Sequence, residues 1–320
     1  MGAAMDSTQI DSNPWTLVMT GATRGIGRVA ARHVLAEAPD CHLVLLARGG
    51  GPTGFADDFG DVGGRLTIVD ADLADMRSTR SAAAAIGWLL DDATLPPLRG
   101  LAGNAGIQFV DDQHTTADGL EATFAVNVLA EHVLIGDLAD RFTRGSRITI
   151  TVSDTHFGDL RHNLGMVPAP RWMSPAQLAR PGAFGGAPPA SGRTAYSTSK
   201  LAAVHLVHEW SRRLPDGVEI VSYNPAYVPG TDLTRDAGVV ERFANRRMLP
   251  VFALMGLLDR VPVAGRRLGD AILGTSSAES GAYLDRGRVA ASSAESYDRA
   301  RELELWEFLE AKRVTLGNVQ

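Results

Sequence analysis

Cysteine is almost absent: Cys41 is the only one in 320 residues. No disulfide can form within the chain, which suits a reducing, cytoplasmic setting. Cys41 heads an apolar stretch and reads as a small buried hydrophobe rather than a reactive thiol. Basic runs are missing as well, and the formal net charge is −6. Nucleic acid is therefore not an expected partner. No apolar run is long enough to span a bilayer, so no transmembrane segment is expected; the longest, Met248–Leu258, is broken by Pro250 and Gly256. Residues Met1–Asn13 are polar and give no secretory leader, and Asp6 stands where a Met-Gly lipidation signal wants Ser or Thr. The histidines lack metal-ligand spacing, so no metal is expected. Neither a repeat nor a break in composition divides the chain.

What is present is an alternation. Apolar stretches at 16–20, 41–47, 66–70, 98–102, 147–152 and 218–223 read as strands. Segments 26–37, 76–90, 120–142 and 194–214 carry helical spacing between them. Near-continuous apolar strands separated by helices imply a parallel sheet covered on both faces. Right-handed crossovers make it doubly wound. The expected fold class is α/β, a doubly wound parallel sheet in a single domain over 15–312, with tails at 1–14 and 313–320. Two stretches break the alternation. The first, 154–193, is rich in proline and glycine, and a loop of that length inside a compact domain suggests a lid insertion. The second, 229–262, is apolar and basic and is expected to border the substrate. Ala294–Lys312 is amphipathic, with Leu303, Leu305, Trp306 and Leu309 available for one face.

After the first strand comes Thr20-Gly21-Ala22-Thr23-Arg24-Gly25-Ile26-Gly27, which opens the first helix. Glycine permits positive φ and close approach of a pyrophosphate, and the helix N-terminus offers unpaired N–H groups. A dinucleotide is the ligand this turn suits. The second strand ends Leu46-Ala47-Arg48 without an acid. An acid there would accept from a ribose 2′-hydroxyl, whereas arginine can pair with a 2′-phosphate. Arg24 adds a second cation nearby, so NADP is favoured over NAD. Tyr196 and Lys200 are four apart on a predicted helix and share a face. A cation beside a phenol lowers its pKa, which would make Tyr196 a tuned acid–base.

Taken together and in order, these motifs resemble the short-chain dehydrogenase/reductase family from about Trp15 to Leu309. Thr20 to Gly27 is similar to its glycine turn. Asp72-Leu73 resembles its adenine-contacting pair, and Asn104-Ala105-Gly106 the motif that lines its cofactor site. The resemblance implies a Rossmann fold and a catalytic set of Asn127, Ser153, Tyr196 and Lys200. Ser153 would hold the substrate carbonyl and Tyr196 would protonate it. Lys200 would bind the nicotinamide ribose and lower the Tyr196 pKa, and Asn127 would support a water that links Lys200 to solvent. Pro225, Val228 and Thr231 would approach the carboxamide, although Ala226 replaces the usual glycine.

Tyr196 follows Ser153 by 43 residues, far more than in compact members. That long insertion resembles the retinol dehydrogenase, protochlorophyllide reductase-like and carbonyl reductase branches. It implies a monomer or homodimer. Its aromatics, Phe157, Trp172 and Phe184, together with Met248–Leu258, suggest a bulky, apolar carbonyl or alcohol substrate. The expected activity is NADP(H)-dependent reduction of a carbonyl, or the reverse oxidation. The same residues also serve epimerases, dehydratases and cyclases on this fold, and a non-catalytic sensor is the remaining alternative.

Overall fold

Aliphatic residues on both sides of most strands give the sheet two faces to bury. The computed structural model describes residues 13–163, 165–228 and 259–317. Its strands are β1 (Trp15–Thr20), β2 (Cys41–Ala47), β3 (Leu66–Asp70), β4 (Leu98–Gly103), β5 (Arg147–Thr151), β6 (Glu219–Asn224), β7 (Tyr283–Asp285) and β8 (Arg288–Ala290). They form one sheet in the order β3-β2-β1-β4-β5-β6-β7-β8. Neighbours from β3 to β7 pair in parallel, and β8 turns back antiparallel on β7. Periodicity reveals the first six strands. At three residues each, β7 and β8 are too short to leave a pattern. Their hairpin turns through Arg286 and Gly287, both at positive φ, as a tight two-residue loop requires.

The helices are α1 (Gly25–Glu37), α2 (Met76–Asp91), α3 (Ala122–Arg141), α4 (Leu160–Asn163), α5 (Pro175–Leu178), α6 (Ala190–Ser211), α7 (Val261–Leu273) and α8 (Arg299–Gly317). Leu17, Met19, Leu43 and Leu45 face one side and pack with α1 and α7. Gly265 and Gly269 let α7 close on α1; a Cβ at Gly265 would fall 2.4 Å from Val29. Val18, Val44 and Leu46 face the other side and pack with α2, α3 and α6. Cys41 is fully buried at the head of β2, and burial pushes its thiol up to about 12, so it is an inert core residue. Helix α3 is long and apolar enough to cross a membrane by composition, yet its apolar window is 83% buried within the protein core.

Outside α6 lies α8. Leu305 and Leu309 are buried, Trp306 meets Trp210 edge-on at 4.9 Å, and Leu303 points away, 41% exposed. The helix continues past 312, so the expected tail begins later. Arg313 binds Asp137 at 3.0 Å, and its carbonyl accepts from Arg80 at 2.6 Å. Two buried carboxylates join the two helices: Glu302 meets His208 at 2.7 Å, and the half-exposed Arg299 and Arg212 bridge Glu209 and Glu302.

Truncating Leu309 to Ala should cost about 2–5 kcal/mol, read as a lower urea midpoint with unchanged slope. A midpoint equal to wild type would mean that α8 does not belong to the cooperative core.

Candidate active site

Strand order reverses beside β1, between β2 and β4, so the C-terminal ends of the strands leave a crevice there. A cavity of about 1070 Å³ occupies it. That is above the usual range for one drug-sized ligand.

The wall at the end of β1 is built by close backbone approach. Gly21 has φ +67°, and a Cβ on it would sit 2.7 Å from the Ala105 nitrogen. On Gly27 a Cβ would fall 2.1 Å from the Gly21 carbonyl oxygen. No side chain caps α1, because its N-cap is Arg24. The first-turn residues Gly25, Ile26 and Gly27 line the cavity with Gly21, Thr23 and Arg24. An uncapped helix N-terminus in a cavity wall suits an anion. Thr20 does not line the cavity. It works from behind, where its hydroxyl accepts from the Asn104 and Ala105 N–H groups at 3.0 and 2.9 Å. Asn104 in turn donates to the Gly21 carbonyl at 3.0 Å and accepts from the Thr151 hydroxyl at 3.2 Å. Asn104, Ala105 and Gly106 all line the cavity.

Arg48 borders the cavity at the end of β2, its side chain 62% exposed. One guanidinium nitrogen lies 3.9 Å from Asp72, which with Leu73 lines the same region. At that distance and exposure the pair contributes little and leaves Arg48 able to turn to a ligand.

On the β5 side, Ser153, Tyr196 and Lys200 share the wall. The Ser153 hydroxyl donates to the Asp154 carboxylate at 3.4 Å and acts on the neighbouring Tyr196 phenol. Lys200 donates to the Thr151 carbonyl at 3.0 Å, with its ammonium 5.7 Å from the Tyr196 ring centroid. Burial pushes the Tyr196 phenol up; the Ser153 hydroxyl opposes this and the Asp154 charge adds to it. Burial dominates, and the ammonium is engaged with Thr151. Burial also pushes Lys200 down to about 8, opposed by the charge of Glu131.

Asn127 sits in a π-helical turn, Ala125–Leu129, inside α3. Such single turns often mark functional sites. Its side chain exchanges two hydrogen bonds with the Ile107 backbone, at 2.9 and 3.0 Å, and donates to the Ser199 hydroxyl at 3.0 Å. Asn127 thus joins the loop after β4 to the helix that carries Lys200, without lining the cavity.

Pro225 and Val228 line the cavity. Thr231 and Met248–Leu258 lie outside the described residues. Ala226 keeps the left-handed conformation, φ +64°, that the usual glycine would adopt freely. Asn224 holds both turns at this edge: its side-chain oxygen accepts from Asp154 N at 3.1 Å and Ala226 N at 3.2 Å, and its amide donates to Asp285 at 2.9 Å.

The 154–193 insertion has two parts. His162, Asn163, Met166, Val167 and Arg193 line the cavity. Its aromatics do not. Phe157 stacks on His162 at 3.8 Å and meets Tyr283; Trp172 meets His205 edge-on at 4.8 Å; Phe184 is buried in the core. They fasten the insertion to the body, as do the bonds of Phe184 N to Asp112 and Arg171 N to Thr198. His156 is buried and pushed down to about 4, and His205 and His208 both meet the Ser296 carbonyl. Among the described residues no group of three His, Cys, Asp or Glu could hold a metal.

Sequence reasoning missed Asp154, Arg193 and Asn224. Asn224 had a signal, an amide ending a buried strand. Asp154, half-buried beside Ser153 and pushed up to about 6 by burial, had none beyond its adjacency.

Residues 16–157 match the family model described as short chain dehydrogenase. A polyprenol dehydrogenase of Danio rerio is 27% identical over 92% of this chain and 86% of its own. A Streptomyces sp. protein, provisionally named a daunorubicin C-13 ketoreductase, is 34% identical over 67% of this chain and 66% of its own. Among solved structures, the NADPH-bound carbonyl reductase from chicken fatty liver superposes with a TM-score of 0.58, covering 87% of this chain and 99% of that one at 20% identity. The fold is therefore the Rossmann type of the nicotinamide oxidoreductases. The chain belongs to the short-chain dehydrogenase/reductase family.

Replacing Ala226 by Gly should relieve the left-handed strain and raise stability by about 1 kcal/mol, measured by urea unfolding. A loss of stability would show that the methyl group contributes more by packing than it costs in backbone strain.

Proposed function

We propose that the protein is an NADP(H)-dependent oxidoreductase that reduces the carbonyl of a bulky small molecule, or oxidises the matching alcohol. One observation carries the reading: Ser153, Tyr196 and Lys200 meet on the wall of a cavity that also holds an uncapped helix N-terminus flanked by Arg24 and Arg48. These residues fit a dinucleotide. The first turn of α1 offers N–H groups to a pyrophosphate, the glycines keep the backbone open to it, and Arg48 reaches a 2′-phosphate. The names of the ketoreductase and carbonyl reductase relatives agree with the reading.

When bound, the nicotinamide supplies hydride at C4 or takes it up there. The chain does the rest. Ser153 donates to the substrate oxygen and fixes it near the Tyr196 phenol. Tyr196 gives that oxygen its proton in reduction and takes it back in oxidation. Lys200 holds the nicotinamide ribose, and its charge favours the phenolate left behind. Asn127 keeps the Ile107 loop against α6, so that Lys200 stays on the wall. Bulk is supported by the cavity volume, and apolar contact by Phe109, Met166, Val167 and Tyr227. Arg193, His162 and Asn163 add polar groups to the same wall, so the substrate carries polar substituents on an apolar body.

Tyr196→Phe should lower turnover of a bulky ketone by about 10²–10⁴-fold while NADPH affinity stays near wild type. Undiminished turnover would overturn the assignment. Arg48→Ala should weaken NADPH by about 10-fold or more and leave NADH almost unaffected, by fluorescence titration; equal losses would remove the NADP preference. Lys200 is protonated below about 8. Reductive kcat/KM should therefore fall as pH rises through that value, and a profile flat to pH 10 would separate Lys200 from the chemistry.

A further inference from the structure

Glu131 lies in the middle of α3, 1% exposed, one helical turn beyond Asn127. A carboxylate buried this deeply is costly unless it is paired. One of its oxygens accepts from the Thr20 hydroxyl at 3.1 Å. The other has no hydrogen-bond partner among the described residues and no contact with solvent. The fold makes room for it: a Cβ on Gly103 would fall 2.4 Å from that second oxygen, so β4 has a glycine where the side chain crosses.

The Thr20 hydroxyl has one proton and two lone pairs. Glu131 takes the proton. The lone pairs receive the N–H groups of Asn104 and Ala105, the first residues of the loop that lines the cavity. All three capacities are used, and the carboxylate sets the direction of the proton. Without an acceptor at Glu131 the hydroxyl would be free to turn its proton toward the two N–H groups, which need an acceptor. The second link is charge. Glu131 and Lys200 border the same stretch of chain: a Cβ on Gly103 would meet the carboxylate at 2.4 Å and one on Gly106 would meet the Lys200 ammonium at 3.4 Å, and each charge acts on the other. The titratable groups facing Lys200 are Glu131 from α3 and Tyr196 from its own helix; Asp154, in the turn after β5, acts on Tyr196.

We propose that Glu131 is a positioning residue of this site, orienting the Thr20 hydroxyl that holds the Asn104–Ala105 loop and keeping the buried Lys200 protonated. The role rests on the reading of Lys200 given above, and goes beyond it by assigning the carboxylate behind the wall. Burial supports the coupling: it pushes Glu131 up to about 7 and Lys200 down to about 8, and each charge opposes the shift of the other.

The test uses the full chain and binding of NADPH alone, so it stands whether or not a carbonyl is turned over. Glu131→Gln keeps the shape and an acceptor for Thr20 but removes the charge. NADPH affinity at neutral pH should stay within about 3-fold of wild type, while the pH at which affinity falls on the alkaline side should drop by about 0.5–1 unit. Thr20→Val removes the hydroxyl and leaves two buried N–H groups without an acceptor, which should weaken NADPH by about 10-fold without moving that alkaline limb. Thr20→Ser should restore the affinity. A purely structural Glu131 would change the melting temperature but not the limb. The proposal is overturned by an alkaline limb in Glu131→Gln that matches wild type, or by a Thr20→Val protein that binds NADPH as tightly as wild type.

Discussion

Everything at the cavity depends on β1 pairing with β2 on one side and β4 on the other. The chain builds the sheet outward through β2 and β3, returns across it, and builds outward again from β4. Helices follow on opposite faces, so the connections on either side of β1 part and leave a crevice at the strand ends where the direction changes. The glycines near that point are the local cost of the reversal. Gly21 and Gly27 allow the first turn of α1, the end of β1 and the Asn104 loop to approach within distances that no Cβ permits.

Most of this architecture was legible because the relevant signals are local. Strands buried on both faces read as apolar runs, and β2 and β3 were bounded to the residue. The acid–base pair was legible from a four-residue spacing on one helix. What stayed hidden depends on contacts between distant segments. The β7–β8 hairpin is too short for a period. The insertion's aromatics were read as cavity lining, because composition tells what a side chain is and not which way it turns; Phe184 and Trp172 point into the body and leave the cavity to Met166, Val167 and Arg193. In the sequence Glu131 is a charge inside an apolar helix, with nothing local to name its partners. Its meaning required seeing Thr20 and Gly103 beside it.

The polar groups in and behind the wall form two sets, Thr20–Asn104–Thr151 and Asn127–Ser199, bridged by the bond from Lys200 to the Thr151 carbonyl. Thr20, Asn104, Thr151, Asn127 and Ser199 join β1, β4, β5, α3 and α6 through side-chain hydrogen bonds, most of them buried. Such bonding gives little net stability, because each group would be bonded to water in the unfolded chain. Its value is geometric. Each member has few alternative partners, so the loops that face the cavity are held in one arrangement.

The helix that bears Tyr196 and Lys200 is braced on its outer side by α8, through Trp210 with Trp306 and through Glu209 with Arg299. Those braces come from a part of the chain synthesised long after the helix itself. Domains gather their structure as the ribosome extends them. Here the strands and the glycine turn emerge early, while the acid–base helix lacks its outer support until α8 has left the ribosome. The end of the cavity that holds Tyr196 and Lys200 thus gains its outer support later than the glycine turn at the other end.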